Sequence, residues 1–390
     1  MKAFTRPMGH GIMSNEKVLV RYGELALKSQ PVRKEFEENL LFNIRGILGH
    51  SRVSIETERG RIFVSTENPG IAAKKISKLP GVVSTSHVWE VESGIKEILE
   101  AAEQLAFERF PSEGSFAVRA RRVGSHEFTS KDIEEAVGEL ILKEIPEMEV
   151  NLDSPESVLN VEVRGNSAYL FTDKVVGTGG LPVGSQNSFV IPFHGSHRDL
   201  FSSYSLMKRG PLPELVNVEG KSNRGPLLDV ARKLLEFHPK LRIYSPPCLD
   251  ILSFIEKEAP NDLIWYLREV VKFRISEDVA NVVSARAIAT SWDLDLISSI
   301  GLVKVGVIEN FLNLPLLYPL SRYRSDELRR SFGVTMNAEM SLENIDTGPR
   351  LIQESSETIG GRIKNFLDDF SINERIKSSV EDAEVDELEV

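Results

Sequence analysis

One stretch, residues 116–138 (FAVRARRVGSHEFTSKDIEEAVG), limits the fold of this chain more than any other. Its first half alternates apolar and basic side chains, which predicts a strand with one buried face and one basic face. Gly124 and Ser125 then break the strand, and Thr129 or Ser130 can cap a helix whose apolar side chains recur at helical spacing. The stretch therefore predicts a β-turn-α unit.

Five basic side chains are concentrated in this unit: Arg119, Arg121, Arg122, His126 and Lys131. We expect them to converge near the end of the strand and the start of the helix, where unpaired backbone N–H groups can bind a phosphate. The alternative is an ordinary solvated strand face, since isolated runs of charge rarely mark a site. The residues by themselves leave both interpretations open.

The same segment resembles the centre of the THUMP domain in the tRNA 4-thiouridine synthase family, also called the thiamine-biosynthesis sulfurtransferase (ThiI) family. That family has R-R-x-G-x-H-x-F-x-S followed by a helix ending in V-G, and this chain supplies each of these residues between Arg121 and Gly138. The resemblance implies an RNA-binding domain. Its candidate RNA contacts are Arg119, Arg121, Arg122, His126, Ser130 and Lys131.

A second segment, RYGELALKSQPVRKEFEENLLFNI, resembles the opening of the same family, R-Y-G-E-I-x-L-K followed by R-x-x-F-x-x-x-L-x-x-N-I. The periodicity of residues 17–92 predicts the order β-α-β-β-α-β, typical of a small ferredoxin-like sheet. Here the candidate phosphate contacts are Arg21, Lys28, Arg33 and Lys34, and the alternative for each is a solvated charge. The resemblance implies that both domains hold a tRNA acceptor stem, which proteins recognise by its backbone and shape.

From residue 188 the pattern changes to alternating apolar strands and helices, with a short strand near Val282, which predicts a doubly wound parallel sheet. The preceding VGTGGLPVG resembles the family's junction between domains. The predicted fold is therefore α/β and α+β multidomain. Its parts are an N-terminal lead at 1–16, a ferredoxin-like domain at 17–80, a THUMP α+β domain at 81–176, a linker at 177–187, a doubly wound, adenine nucleotide alpha hydrolase-like domain at 188–372, and an acidic tail at 373–390.

The first strand-to-helix turn of such a sheet is where phosphates bind. The family has an S-G-G-x-D-S nucleotide loop there, and the ungapped match of L-M-x-R-G at residues 206–210 places it on His194, Gly195, Ser196, His197, Arg198 and Asp199. Of the family's residues, Gly195 alone is kept. Arg198 removes a carboxylate that would help to hold Mg²⁺, and Asp199 places a negative charge at the start of a helix, which repels a phosphate. We therefore interpret the loop as a degenerate nucleotide site.

Two further signatures of the family's chemistry are missing. Residues 285–295 read ARAIATSWDLD where the family has G-E-x-x-G-Q-V-x-S-Q-T, and residues 335–343 hold no cysteine to carry a persulfide. Cys248 is the one cysteine, and we expect it to be a small buried residue. His194 and His197 have H-x-x-H spacing, which does not predict a metal site without further ligands.

A net charge of −11 argues against a protein that coats nucleic acid by bulk electrostatics, so any RNA site is expected to be local. Residues 371–390 carry seven acids against Arg375 and Lys377, a net charge of −5, and we expect this tail to be disordered. The sequence has no apolar run of membrane-spanning length and no secretory signal, which predicts a cytoplasmic protein.

Three functions remain open. The first is a non-catalytic tRNA-binding relative of 4-thiouridine synthase, with no cofactor expected. The second is an active ATP-dependent tRNA sulfurtransferase, which would need ATP and Mg²⁺ and would also feed thiamine thiazole synthesis. The third is a non-catalytic partner subunit of a tRNA-modifying enzyme. The resemblance also implies a homodimer.

Overall fold

The computed structural model describes residues 15–23, 29–49, 52–58, 60–218, 224–328, 330 and 355–390. These residues form two compact units. The first takes the described parts of Met1–Ala26, His50–Lys78 and Val82–Gly179, and the second takes those of Leu27–Gly49, Leu79–Gly81 and Gly180–Val390.

The first unit is built on one nine-stranded sheet with the order β2-β3-β1-β4-β8-β7-β5-β6, in which β9 pairs with β4. Its elements are β1 (Glu16–Tyr22), β2 (Ser54–Glu58), β3 (Arg61–Ser65), α2 (Pro69–Ser77), β4 (Val82–Glu92), α3 (Ile95–Arg109), β5 (Gly114–Val123), α4 (Ser130–Glu144), β6 (Met148–Val150), β7 (Ser157–Arg164), β8 (Ser167–Phe171) and β9 (Val175–Val176). With the helix α1 (Gln30–Leu48), the chain order β1-α1-β2-β3-α2-β4 confirms the predicted β-α-β-β-α-β sequence of elements.

The helices of the first unit cover one face of its sheet. Phe116 and Val118 of β5 join the core formed with Ile133 and Val137 of α4, and Thr85 of β4 donates to the Ala73 carbonyl of α2 (2.8 Å). Because side chains alternate along a strand, the residues between these positions lie on the opposite face. We call that surface the open face.

The second unit contains α1 (Gln30–Leu48) and a six-stranded sheet with the order β14-β13-β10-β11-β12-β15. Its further elements are β10 (Leu181–Pro192), α5 (His197–Met207), β11 (Arg209–Val216), α6 (Arg224–Arg232), β12 (Lys240–Ser245), α7 (Leu249–Glu258), α8 (Ile264–Val283), β13 (Ile288–Ala289), α9 (Leu294–Ile300), α10 (Leu302–Glu309), β14 (Leu316–Leu317), α11 (Ser356–Asp369), α12 (Ile372–Glu381) and β15 (Glu384–Glu389). The five strands from β14 to β12 are parallel, which confirms the doubly wound sheet.

Helix α8 lies at the centre of the larger apolar core of the second unit. Tyr266, Val270 and Ile275 are fully buried, and even Glu277 is only 2% exposed. A helix buried on nearly all sides does not have the apolar stripe of a surface helix. The predicted strand near Val282 was therefore wrong, because this apolar segment is the end of α8 and the strand begins at Ile288.

The acidic tail is ordered, so the prediction of disorder was wrong. Ile372 and Ile376 of α12 are buried, and β15 pairs antiparallel with β12 along its whole length. Arg224 and Lys240 form ion pairs with acids of β15, including Arg224–Glu384 at 3.6 Å. These basic partners offset the charge of the tail, and β15 covers what would otherwise be an open sheet edge.

Candidate functional site

The six residues predicted to form a degenerate nucleotide loop follow β10 at the carboxyl edge of the parallel sheet. β10 lies between β11 and β13, so the chain leaves it at the point where the strand order reverses. Ligands of doubly wound proteins bind in the crevice at this point. Residues 194–196 form the turn, and α5 begins at His197 with Ser196 as its N-cap.

Asp199 fills the turn from inside. It is 1% exposed, and its Oδ2 accepts hydrogen bonds from the backbone N–H groups of His194 (2.9 Å) and Ser196 (3.0 Å). Its Oδ1 accepts a hydrogen bond from the Ser291 hydroxyl. Burial by itself would raise the pKa of this carboxyl, but the hydrogen bonds and charge of His194 and the Ser291 hydroxyl hold the pKa below its usual value. An ionised carboxylate of the chain therefore occupies the donors that would face a phosphate.

Arg198 is held in a second buried network next to the turn. Its Nε donates to Asp293 Oδ2 (2.9 Å), and a guanidinium Nη2 donates to Ser325 Oγ (2.9 Å). The Asp293 side chain is fully buried and also caps α9 by accepting from the Leu296 N–H (3.0 Å). Arg198 thus neutralises a buried carboxylate of the chain and is not directed at a ligand.

The one retained glycine of the loop is needed for internal packing. Gly195 has a φ of +83°, and a Cβ on it would lie 2.7 Å from the Leu227 Cα of α6. Both the left-handed backbone and the close approach of α6 require glycine here. His197, the first residue of α5, lies with its ring centroid 6.5 Å from that of Phe201.

The two stretches that depart from the family pattern meet in space. Because β13 pairs in parallel with β10, residues 290–293 leave the sheet beside the start of α5, and Ser202 donates to the Thr290 carbonyl (2.6 Å). Sequence reasoning gave Ser291 and Asp293 no role, and it missed Ser325. The position of Asp293 just before an apolar helix was an available capping signal, whereas nothing in the sequence linked Ser325 to Arg198.

The basic residues of the β5–α4 unit do not converge on one face, contrary to our expectation. Arg119 and Arg121 are exposed and lie on the open face, whereas Ala120 packs against the helix-side core. Arg122 follows Ala120 on the helix side and donates to the His126 carbonyl (3.3 Å). The alternation of the strand causes this separation. Arg119 also donates to the Leu152 carbonyl.

The start of α4 is already capped. Thr129 and Asp132 form a reciprocal capping box, with Thr129 N–H donating to Asp132 Oδ2 (2.7 Å). The backbone hydrogen bond from Thr129 lowers the pKa of Asp132. Ser130 is half-buried, and Lys131 is largely exposed, with Glu135 at 3.4 Å. The helix terminus therefore offers a phosphate fewer N–H donors than its sequence suggested.

His126 stabilises the turn of this unit. Its Nε2 lies 2.7 Å from the Gly165 carbonyl, a contact that requires a proton on Nε2, and its ring stacks on Phe128 at 5.6 Å. These contacts join the β5–α4 turn to the β7–β8 turn.

The candidate RNA contacts of the ferredoxin-like segment differ in accessibility. Arg21 is only 8% exposed, and its guanidinium bonds to Glu162 (3.0 Å) and Ser86 (2.9 Å) within the sheet of the first unit. Arg33 and Lys34 lie on α1, where each pairs with an acid one turn later, Glu37 and Glu38. Lys28 lies outside the described residues.

Other predicted features are located as follows. Cys248 is fully buried, and its thiol donates to the Val218 carbonyl (3.4 Å). In the part of the chain that the structure describes, no three His, Cys, Asp or Glu side chains are grouped so that they could hold a metal ion. No helix within the described ranges has the length and apolarity needed to cross a bilayer.

Two segments of this chain match known domain families. The ThiI ferredoxin-like domain matches residues 17–86, and the THUMP domain matches residues 92–173. A solved structure of a 4-thiouridine synthetase in complex with RNA and bound ATP has a TM-score of 0.81 at 24% identity, covering 96% of this chain and 100% of that one. A Pyrococcus horikoshii structure has a TM-score of 0.67 at 22% identity, covering 83% of this chain and 100% of that one. These likenesses confirm the predicted fold class.

Two similar sequences extend over most of the chain. A probable tRNA sulfurtransferase of Methanothermobacter thermautotrophicus is 30% identical over 324 residues, covering 79% of this chain and 82% of the relative. A probable tRNA sulfurtransferase of Brevibacillus brevis is 29% identical over 317 residues, with 79% of each chain covered. This chain therefore belongs to the tRNA sulfurtransferase (ThiI) family.

Proposed function

We propose that this protein binds tRNA and lacks the ATP-dependent adenylation and sulfur transfer of the family. The observation that carries the proposal is the buried Asp199 carboxylate, which takes the backbone N–H groups of His194 and Ser196 for itself. A phosphate at the same place would have to displace an ionised group that is 1% exposed. The residues present therefore do not fit ATP with its magnesium ion.

The Arg198–Asp293 pair supports the same conclusion. Binding a nucleotide that uses either side chain would separate two buried charges, and an unpaired buried charge costs about 3–5 kcal/mol. The pair also holds Ser325, whose hydroxyl bonds to both side chains, so its rupture would cost these hydrogen bonds as well. The Asp293 carboxylate thus takes the place beside Arg198 that a negatively charged phosphate of a nucleotide could otherwise take.

The proposed tRNA surface consists of exposed cations, considered separately for each unit. In the first unit they are Arg119, Arg121 and Lys131, with Arg122, His126 and Ser130 shaping the turn beside them. In the second they are Lys34 and the half-exposed Arg33 of α1, and Lys28 remains a candidate. Such side chains position an RNA backbone without reading its sequence, and they bind an acceptor stem by shape.

Mobility-shift assays with purified tRNA at increasing salt test the RNA half of the proposal. We expect binding at low salt, and a plot of log affinity against log salt concentration that falls linearly, with a slope set by the number of phosphate contacts. A Lys96→Gln variant, which removes an exposed cation on α3, serves as a control for net charge and should bind like the wild type. Absence of binding at low salt, or binding without salt dependence, would refute the proposal.

The second candidate is an active tRNA sulfurtransferase, which is favoured by the names of the relatives. Exchange of labelled pyrophosphate into ATP, measured with and without tRNA, separates the two functions. The first proposal predicts no exchange above a no-protein blank, and tRNA-stimulated exchange would establish the second. The homodimer implied by the family, the modifying partner protein and the cytoplasmic location predicted from the sequence all stay predictions.

A further inference from the structure

The open face of the first unit carries a cluster of four arginines, of which only Arg121 also belongs to the proposed tRNA surface. Arg61 on β3 lies opposite Arg21 on β1, and Arg121 on β5 lies beside Glu162 on β7. Arg164 follows Glu162 on the same face at 3.5 Å. We call Arg21, Arg61, Arg121 and Arg164 the arginine cluster.

The sheet must be concave on the open face to bring these residues together. β4 and β8 lie between β1 and β7, so in a flat sheet the backbones of Arg21 and Glu162 would be about 14 Å apart. The two side chains nevertheless meet at 3.0 Å. The curvature also allows Phe63 of β3 to stack on Tyr169 of β8 at 4.3 Å. The cluster therefore lies in a hollow, with Arg121 exposed at its rim.

The positive charge in this hollow exceeds the negative charge. Glu162 is the one carboxylate that forms ion pairs with the cluster among the described residues, and it serves both Arg21 and Arg164. Glu58 lies opposite Arg61 on β2 without forming an ion pair. Even with Glu58 counted, four guanidinium groups face two carboxylates. Two positive charges therefore remain uncompensated, and one of them, on Arg61, is half-buried, where a charge without a counter-anion is costly.

Two polar atoms at the base of the hollow lack hydrogen-bond partners in the described structure. They are Arg61 Nε, a donor, and the hydroxyl of Ser84, which lies opposite Arg21 on β4. Buried polar groups are nearly always hydrogen-bonded, so each such atom requires an explanation. Burial lowers the pKa of Arg61; the charge of Glu162 raises it in part, and the charges of Arg164, Arg21 and Arg121 lower it again, so that its pKa stays below the usual value. An anion in the hollow would satisfy both atoms and relieve this repulsion.

We propose that the arginine cluster binds a phosphate monoester. A monoester carries close to two negative charges at neutral pH and three acceptor oxygens, which matches the two uncompensated charges. A diester of an RNA backbone carries one charge and matches less well. The monoester is either the terminal phosphate of an RNA or a free small molecule. The RNA source rests on the proposed function, whereas the small-molecule source does not.

The first experiment measures thermal unfolding of the full chain in inorganic phosphate and in dimethyl phosphate at matched ionic strength. A ligand that binds only the folded state raises the melting temperature, so we expect phosphate to raise it more than the monoanionic diester does. Arg61→Gln should abolish the phosphate-specific rise, while Lys96→Gln, with the same loss of charge on α3, should retain it. Equal shifts for both anions, or an unchanged phosphate shift in Arg61→Gln, would overturn the proposal.

The second experiment assigns the source. Binding of a 5′-phosphorylated acceptor-stem RNA is compared with binding of its 5′-hydroxyl form. If the RNA end is the ligand, the wild type should prefer the phosphorylated form by about 10-fold, and Arg61→Gln should remove this preference. If phosphate stabilises the protein but the two RNAs bind equally, the ligand is a small molecule. If no RNA binds but phosphate still does, the proposed function fails and the anion site stands.

Discussion

Replacement of Asp199 is the most severe test of whether its buried carboxylate satisfies the hydrogen-bond donors of the loop. Asp199→Ala leaves two backbone N–H groups and the Ser291 hydroxyl without their acceptor. Each buried unsatisfied donor costs about 1–3 kcal/mol, so we expect a loss of about 3–5 kcal/mol in the free energy of unfolding of the second unit. Asp199→Asn should cost less, about 1–2 kcal/mol, because its amide oxygen can keep both N–H groups while Ser291 rotates to accept.

Urea denaturation followed by tryptophan fluorescence measures this loss. Trp265 and Trp292 lie in the second unit and Trp89 in the first, so a Trp89→Phe background restricts the signal to the second unit. Asp132→Ala, followed through Trp89 of the first unit in the chain that retains this residue, is the matched control, since Asp132 holds the same capping-box position in α4 but is solvent-exposed. If Asp199→Ala destabilised the protein no more than Asp132→Ala does, the carboxylate would not be the group that satisfies the loop.

The pH dependence of the same experiment has a definite sign. The folded-state pKa of Asp199 is lowered, so its contribution to stability is fully present above the unfolded pKa of about 3.9 and is lost as pH falls through the folded pKa. The difference between wild type and Asp199→Asn should therefore be constant from about pH 5 to 8 and shrink below about pH 4. A difference that grew on acidification would contradict an ionised buried carboxylate.

Three further predictions concern other parts of the molecule. Arg198→Met should destabilise the second unit by about 3 kcal/mol in urea denaturation, because it leaves Asp293 buried without its partner. Adding Asp293→Asn should recover much of this loss, and additive losses of the two substitutions would contradict the prediction. Arg119→Gln and Lys131→Gln should each weaken tRNA binding and reduce the salt slope by about one phosphate contact in mobility-shift assays, and an unchanged slope would remove that residue from the interface. Burial lowers the pKa of His238 to about 4. The free energy of unfolding should therefore fall by up to about 3 kcal/mol as pH drops from 6.5 to 4. In urea denaturation, His238→Gln should lack this part of the acid dependence that the wild type shows.

Local patterns predicted the elements of this chain well. The alternation in residues 116–123 and the capping residue Thr129 gave β5 and α4, and the apolar spacing gave β10, α5, β11, α6 and β12 of the second unit, whereas the predicted strand near Val282 was wrong. The resemblance of several short motifs to those of the ThiI family predicted the family. Each of these signals depends only on neighbours in sequence, which is why a single sequence sufficed.

Contacts between distant residues were not predictable in the same way. Arg21 looks like any strand cation until the curved sheet brings it against Glu162, which is 141 residues later. Ser325 lies 127 residues after its partner Arg198. The acidic tail looked disordered by charge count, because its partners Arg224 and Lys240 are provided by other elements. In contrast, the separation of Arg122 from Arg119 and Arg121 followed from strand alternation and could have been predicted.

Titration calorimetry of ATP with magnesium into the full chain, beside a titration of tRNA into the same sample, tests the central claim most directly. A turn filled by Asp199 predicts heat of binding for tRNA and none for ATP up to millimolar concentration. Saturable ATP binding in the micromolar range would contradict it, and most clearly if Asp199→Asn changed that affinity.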